Sequence, residues 1–178
     1  GYKELSKSDV KNLASEGSSQ AATLIIESHL SLTGASGKTG LYYDAKMDKW
    51  YQPLGTATSN YIVKQSHVRL RNIVVNEQLC LLTAKKLGIE IPESFIIKTE
   101  EHKNDDADIL FAKKRFDRYT DDSSKKLDNL IIPYRLHQED FAQALGIKAG
   151  FKYEKKGEHY LKRMFELLRS YSANPIED

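Results

Sequence analysis

The chain has 178 residues, 40% of them hydrophobic and 29% charged, a balance that suits one or two globular domains and excludes a disordered chain. A formal net charge of +2 is too balanced to suggest bulk affinity for nucleic acid and leaves room only for a local patch, and a single cysteine, Cys80, excludes an internal disulfide framework. No apolar run approaches the ~20 residues of a membrane span, so the chain reads as soluble and cytoplasmic, with no membrane partner.

In chain order, Val10, Leu13 and Ala14 stand at helical spacing within residues 8–15, and residues 23–32 read as extended. Gly34, Gly37 and Gly40 punctuate a loop over residues 33–40. Two short strands follow, Leu41–Asp44 and Trp50–Gln52, separated by a turn at Met47-Asp48-Lys49. Tyr61-Ile62-Val63-Lys64 is a third strand. Residues 73–88 predict the main helix: Val75, Leu79, Leu82 and Leu87 recur along it, Lys85 and Lys86 fill its last turn, and Gly88 stops it. Cys80, in that stretch, reads as core filler. Phe95–Ile97 and Ile109–Ala112 read as a strand pair joined by the polar residues 100–106. Residues 120–129 form a charged loop and a lobe boundary. Two helices follow, His137–Leu145 and Glu158–Tyr171, the second with Leu161, Phe165 and Leu168 on one stripe. Strands around one helix, then helices only, predict an α+β fold.

Gly34-x-x-Gly37-Lys38-Thr39 lacks the glycine a P-loop needs, because position 32 is Leu, and a strand rather than a helix follows it. A glycine-rich turn between strands is another way to bring backbone N–H groups to a polyphosphate. In protein kinases such a loop precedes a strand lysine, and a helix glutamate holds that lysine. Lys64 and Glu77 stand in that order here. Singly, each has a plain reading: an ordinary hairpin, a surface lysine, a helix-surface acid. Together they fit a nucleotide lobe. The five histidines are scattered, and one cysteine builds no zinc site. The basic residues from Lys148 to Arg163 alternate with acids and read as a solvated face.

Several segments resemble the HipA family of toxin serine/threonine kinases from bacterial toxin–antitoxin modules. Ser31-Leu32-Thr33-Gly34-Ala35-Ser36-Gly37-Lys38-Thr39 resembles its phosphate loop, and Asn60-Tyr61-Ile62-Val63-Lys64 its phosphate-lysine strand. Asn76-Glu77-Gln78-Leu79-Cys80-Leu81 through Pro92 resembles its signature helix. Lys114-Arg115-Phe116-Asp117-Arg118 resembles the strand into the interlobe hinge, with Lys114 where the family carries an acid. Arg135-Leu136-His137-Gln138-Glu139-Asp140-Phe141 through Lys152-Tyr153-Glu154 is the most specific match.

The resemblance implies a protein-kinase-like N-lobe, an antiparallel sheet with one main helix, over residues 1–118. Residues 119–178 would be the hinge and the first helices of a helical C-lobe. It makes Lys64 the ATP-phosphate lysine and Glu77 its supporting acid. Gly34, Ala35, Ser36, Gly37 and Lys38 become loop residues near the triphosphate, Lys114 and Phe116 line the adenine, and Ser31 takes the place of an autophosphorylated serine. ATP and Mg²⁺ are the implied cofactors. The catalytic aspartate and the Mg²⁺ acid belong to a later segment that this sequence lacks. Asp117, Asp140 and Asp121-Asp122 read instead as a hinge residue, a helix N-terminal acid and a solvated loop. The ending Asn174-Pro175-Ile176-Glu177-Asp178 has the pattern of a helix start, so the chain reads as a fragment, inactive or nearly so alone. The implied partners are a helix-turn-helix antitoxin, DNA only through it, and a protein substrate such as a tRNA synthetase or another translation component. A non-catalytic kinase-like interaction module is the alternative; a small nucleic-acid-binding protein is a further rival, which the near-zero net charge opposes.

Overall fold

Ser6, Lys7, Ser8 and Asp9 form a capping box. The Ser6 hydroxyl accepts from the Asp9 N–H at 3.1 Å, and the Asp9 carboxylate accepts from the Ser6 N–H at 2.9 Å. The Ser6 hydroxyl also donates to the Asp9 carboxylate at 2.6 Å, and this bond first, with the Ser6 N–H second, holds the Asp9 carboxyl below its usual pKa. The capping box starts helix α1, Lys7–Ser15, which follows strand β1, Tyr2–Leu5. The computed structural model describes residues 1–15, 38–66, 71–99, 106–151 and 153–176. The expected extended segment 23–32 and the loop residues 33–37 lie outside them.

Five further strands, β2 (Lys38–Asp44), β3 (Lys49–Pro53), β4 (Tyr61–Gln65), β5 (Ser94–Lys98) and β6 (Ile109–Lys114), join β1 in one antiparallel sheet of order β1-β3-β2-β4-β6-β5. Helix α2, Ile73–Lys86, lies between β4 and β5 in sequence. Because side chains alternate along a strand, the register assigns each residue to a face. Leu41, Tyr61, Val63, Leu110 and Ala112 share one face with Trp50 and Ile97, and Val10 and Ala14 of α1 close over them. Lys38, Lys64 and Phe111 share the other face, where α2 packs. The strand pair predicted around Phe95 and Ile109 is β5–β6.

Three local readings differ from the sequence. Lys38, Thr39 and Gly40, expected in a loop, begin β2, because they pair with Lys64, Val63 and Ile62. The apolar stripe of α2 faces away from the sheet: Leu79 is 62% exposed, Cys80 is exposed rather than core filler, and Val74 is the buried residue. The cause is that α2 turns its polar side inward, Glu77 to Lys64 and Gln78 to the Ser94 carbonyl. Residues 118–135 form two nested hairpin pairs rather than a plain loop. Strand β7 (Arg118–Tyr119) pairs with β10 (Tyr134–Arg135), and between them β8 (Lys126–Leu127) pairs with β9 (Leu130–Ile131). Asp128 and Asn129 supply the positive φ angles, 52° and 63°, that a two-residue hairpin turn requires.

The chain separates into two compact units, Gly1–Leu136 and His137–Asp178. In the second unit the helix expected over residues 137–145 is shorter: α3, Phe141–Ala144, is set by an Asp140/Gln143 capping box. That box makes Asp140 the helix N-terminal acid the sequence predicts. Helix α4, Tyr160–Tyr171, follows, and the Arg163 guanidinium donates to the Leu145 carbonyl at 3.2 Å. No described side chain of this unit is fully buried.

Candidate functional site

Lys64 is the fourth residue of β4 and projects from the face that α2 covers. Its Nζ donates to both carboxylate oxygens of Glu77 on α2, each at 2.7 Å, and lies 5.7 Å from the Phe111 ring centroid. Glu77 reaches it because α2 lays its polar side on the sheet. Phe111, fully buried and directly opposite Lys64 on β6, is the apolar floor on which the ammonium rests. The pair is part-buried, so its attraction is less screened than that of a surface ion pair.

The β2–β4 register puts Lys38 directly opposite Lys64. Burial, and then the Lys64 ammonium, pull the Lys38 ammonium below its ordinary pKa, with Glu77 opposing. Two lysines and one carboxylate therefore share this patch of the sheet. The two ammonium groups are donors of the kind that suit a polyphosphate. Among the described residues no group of three His, Cys, Asp or Glu side chains gathers as a metal ion would require.

Lys114 ends β6 opposite Tyr61, three residues or ~10 Å along the sheet from the Lys64 position. Its side chain alternates to the opposite face and approaches Glu93 at 3.8 Å, while its N–H donates to the Glu93 carbonyl at 2.8 Å. Phe116, 69% exposed, lines a cleft of about 480 Å³ with Ile91, Pro92 and Lys114. Lys64, Glu77 and Lys38 are thus brought together, whereas Lys114 and Phe116 stand apart at the strand's end. Ser31, Gly34, Ala35, Ser36 and Gly37 lie outside the described residues.

Sequence reasoning missed the network that follows β6. Arg115 Nε and Nη2 donate to the Asp117 carboxylate at 2.9 and 2.8 Å, and Arg118 donates to the same carboxylate and to the Asp117 carbonyl. Asp117 is buried, which alone would raise its pKa, yet the two guanidiniums hold it below the usual carboxylate range. The alternation of charges in Arg-Phe-Asp-Arg was the available signal. Asn60 was also missed: its side-chain amide brackets Tyr43, accepting from the N–H at 2.8 Å and donating to the carbonyl at 2.9 Å. It thereby extends the β2–β4 pairing by one residue. Asp121, as expected, serves a surface turn, bonded to Ser123 and Ser124.

A family model described as the HipA-like C-terminal domain matches residues 30–178. The chain belongs to the HipA-like family. A curated protein of Sinorhizobium fredii (strain NBRC 101917 / NGR234), named "Putative kinase Y4mE", is 30% identical over 150 residues, covering 84% of this chain and 32% of its own length. HipA of Shewanella oneidensis MR-1, solved in complex with HipB and operator DNA, has a similar fold, with a TM-score of 0.61 at 21% identity. That likeness covers 99% of this chain and 40% of the solved one. The chain thus spans about a third of the curated relative and two fifths of the solved one. Among the described residues, no helix of this HipA-like chain is long and apolar enough to cross a membrane.

Proposed function

We propose that this chain is the ATP-binding portion of a HipA-like serine/threonine protein kinase, the toxin of a toxin–antitoxin pair. In this reading, residues 1–118 form the nucleotide lobe, and residues 119–178 the hinge and the start of the helical lobe. The observation that carries it is the two-pronged Lys64–Glu77 pair beside Lys38, the strand-lysine and helix-glutamate arrangement that kinases use at nucleotide phosphates. Glu77 holds the Lys64 ammonium in one direction, so that little ordering remains when a phosphate arrives. Lys64 and Lys38 neutralise phosphate oxygens, and backbone amides of residues 34–37 donate to them. Lys114 and Phe116 serve the adenine end, Lys114 through backbone groups and Phe116 through its ring. Ser31 is the residue open to autophosphorylation.

ATP supplies the transferable phosphoryl group, and Mg²⁺ the counter-charge, held by acids of the longer kinase outside this chain. The partner is a helix-turn-helix antitoxin, through which DNA is contacted indirectly, in keeping with the HipA–HipB–DNA assembly of the structural relative. The protein substrate belongs to the translation apparatus, such as a tRNA synthetase, and the site of action is the cytoplasm.

Calorimetric titration with Mg-ATP tests the reading. The wild-type chain is expected to bind, and Lys64→Ala to bind at least about tenfold more weakly, because one charge-assisted contact contributes about 1.5–3 kcal/mol. Equal binding by a folded Lys64→Ala chain would contradict the assignment. No binding by a folded wild-type chain would leave two readings, a lobe that grips ATP only with the rest of the kinase or an interaction module, and the same titration on the longer protein decides between them.

A further inference from the structure

The turn that leads into β6 ties both helices to the sheet. In residues 106–108, Asp108 pairs with Lys11 of α1, and its carbonyl accepts from the Thr99 N–H at 3.1 Å. Asp106 does something more specific. One carboxylate oxygen accepts from the Ser66 hydroxyl at 2.8 Å, and the other accepts from the Asn72 N–H at 2.9 Å. Ser66 follows β4 directly, two residues beyond Lys64. Asn72 is the N-cap of α2, five residues before Glu77, and its side chain makes no cap bond of its own. It sits in the left-handed region with φ 58°. A carboxylate there also meets the positive end of the helix dipole.

We propose that Asp106 is a positioning residue: its carboxylate clasps the end of β4 to the start of α2 and so sets Glu77 against Lys64. The two elements that carry the ion pair are joined by a connection whose ends are Ser66 and Asn72, and Asp106 bonds both ends at once. Without that clasp, α2 keeps its packing through Val74 and Gln78 but gains freedom to rotate or slide, and the Lys64–Glu77 distance is no longer fixed. The functional meaning of the clasp rests on the nucleotide reading above; the geometric claim does not.

Asp106→Ala is the informative change, because it removes both acceptor oxygens; Asp106→Asn can rebuild the clasp, its Oδ1 accepting from the Asn72 N–H and its NH₂ donating to the Ser66 hydroxyl. The test is a double-mutant cycle on the full chain, with Lys64→Met and Glu77→Gln, read by urea unfolding in both the Asp106 and the Asp106→Ala backgrounds. In the wild-type background the pair is expected to couple by about fivefold in the unfolding equilibrium constant. In Asp106→Ala the coupling should vanish, and the amides of the first turns of α2 should exchange faster than those of β4 and β6, whereas Asp106→Asn should restore much of the coupling. Undiminished coupling in Asp106→Ala, whatever its loss of stability, would overturn the proposal, since a merely structural role predicts that result. Should Asp106→Ala fail to fold, Ser66→Ala, which removes one of the two bonds, replaces it in the same cycle. Mg-ATP titration of the same variants separates the two claims: lost coupling in a chain that does not bind nucleotide upholds the clasp without the nucleotide reading.

Discussion

Replacing Asp117 by alanine is expected to destabilise the first unit by about 3–5 kcal/mol, the cost of leaving a buried charge without its partner. Two guanidiniums depend on this one carboxylate: Arg115, also bonded to the Ser59 hydroxyl at 3.2 Å, and Arg118, both largely out of water. A domain is stable by only about 5–15 kcal/mol, so the loss is a large share of the total, and urea unfolding at neutral pH reads it directly. The pH dependence has a definite sign. Because the folded carboxyl lies below its unfolded value of about 3.9, its contribution is present above that value and disappears as pH falls through the folded pKa. The gap between wild type and Asp117→Asn should therefore narrow below about pH 4. A gap independent of pH would mean that the carboxylate's charge is not what holds the arginines.

Phe111→Ala is the second large effect. Phe111 is fully buried on the α2 side of β6, opposite Lys64 on one strand and Ile96 on the other. Removing a buried phenyl ring costs about 3–5 kcal/mol in lost transfer energy and cavity. The cavity would open beneath the Lys64 ammonium, so this substitution should also weaken Mg-ATP binding, whereas Phe111→Leu, which refills most of the space, should restore much of both. Urea midpoints and titration of the three chains check this. Loss of stability with unchanged nucleotide affinity would show that the floor under Lys64 does not matter to the site.

The centre of the sheet was legible because its signals are local. Strand alternation across Tyr61–Lys64 and Ile109–Ala112, and the Asp48 turn between β2 and β3, are written in neighbouring residues. Lys64 and Glu77 could be paired in advance because a strand lysine followed by a helix glutamate is the order in which kinases hold that lysine. The inner side of α2 was not legible in the same way. Its apolar residues Val75, Leu79 and Leu82 form a regular stripe, and such a stripe ordinarily marks the core side. Here a polar requirement, Glu77 on Lys64 and Gln78 on Ser94, decides the orientation instead.

The hairpins within residues 118–135 escaped notice for a different reason. Their strands are two residues long, too short for a period, and are held by tertiary ties: the Tyr2 N–H donates to Asp128 at 3.1 Å, and the Thr58 hydroxyl to the Pro133 carbonyl at 3.0 Å. Asp106 was hidden for the same reason. In a run of charged residues nothing marks one carboxylate as the clasp, and only the approach of Ser66 and Asn72 distinguishes it. The position of Lys38 shows the opposite case: glycines around it suggested a loop, but pairing with Lys64 across the sheet outweighs the cost of Gly40 in a strand.

The most direct test of the central claim asks which lysines lie at the phosphates. An acyl-phosphate derivative of ATP transfers its acyl group to an amine held beside the phosphate chain, and peptide mass spectrometry identifies the amine. The account predicts acylation at Lys64 and Lys38, suppressed by excess Mg-ATP, with the scattered surface lysines labelled weakly and without competition. Labelling that spares both, or that excess Mg-ATP leaves unchanged at both, would contradict it.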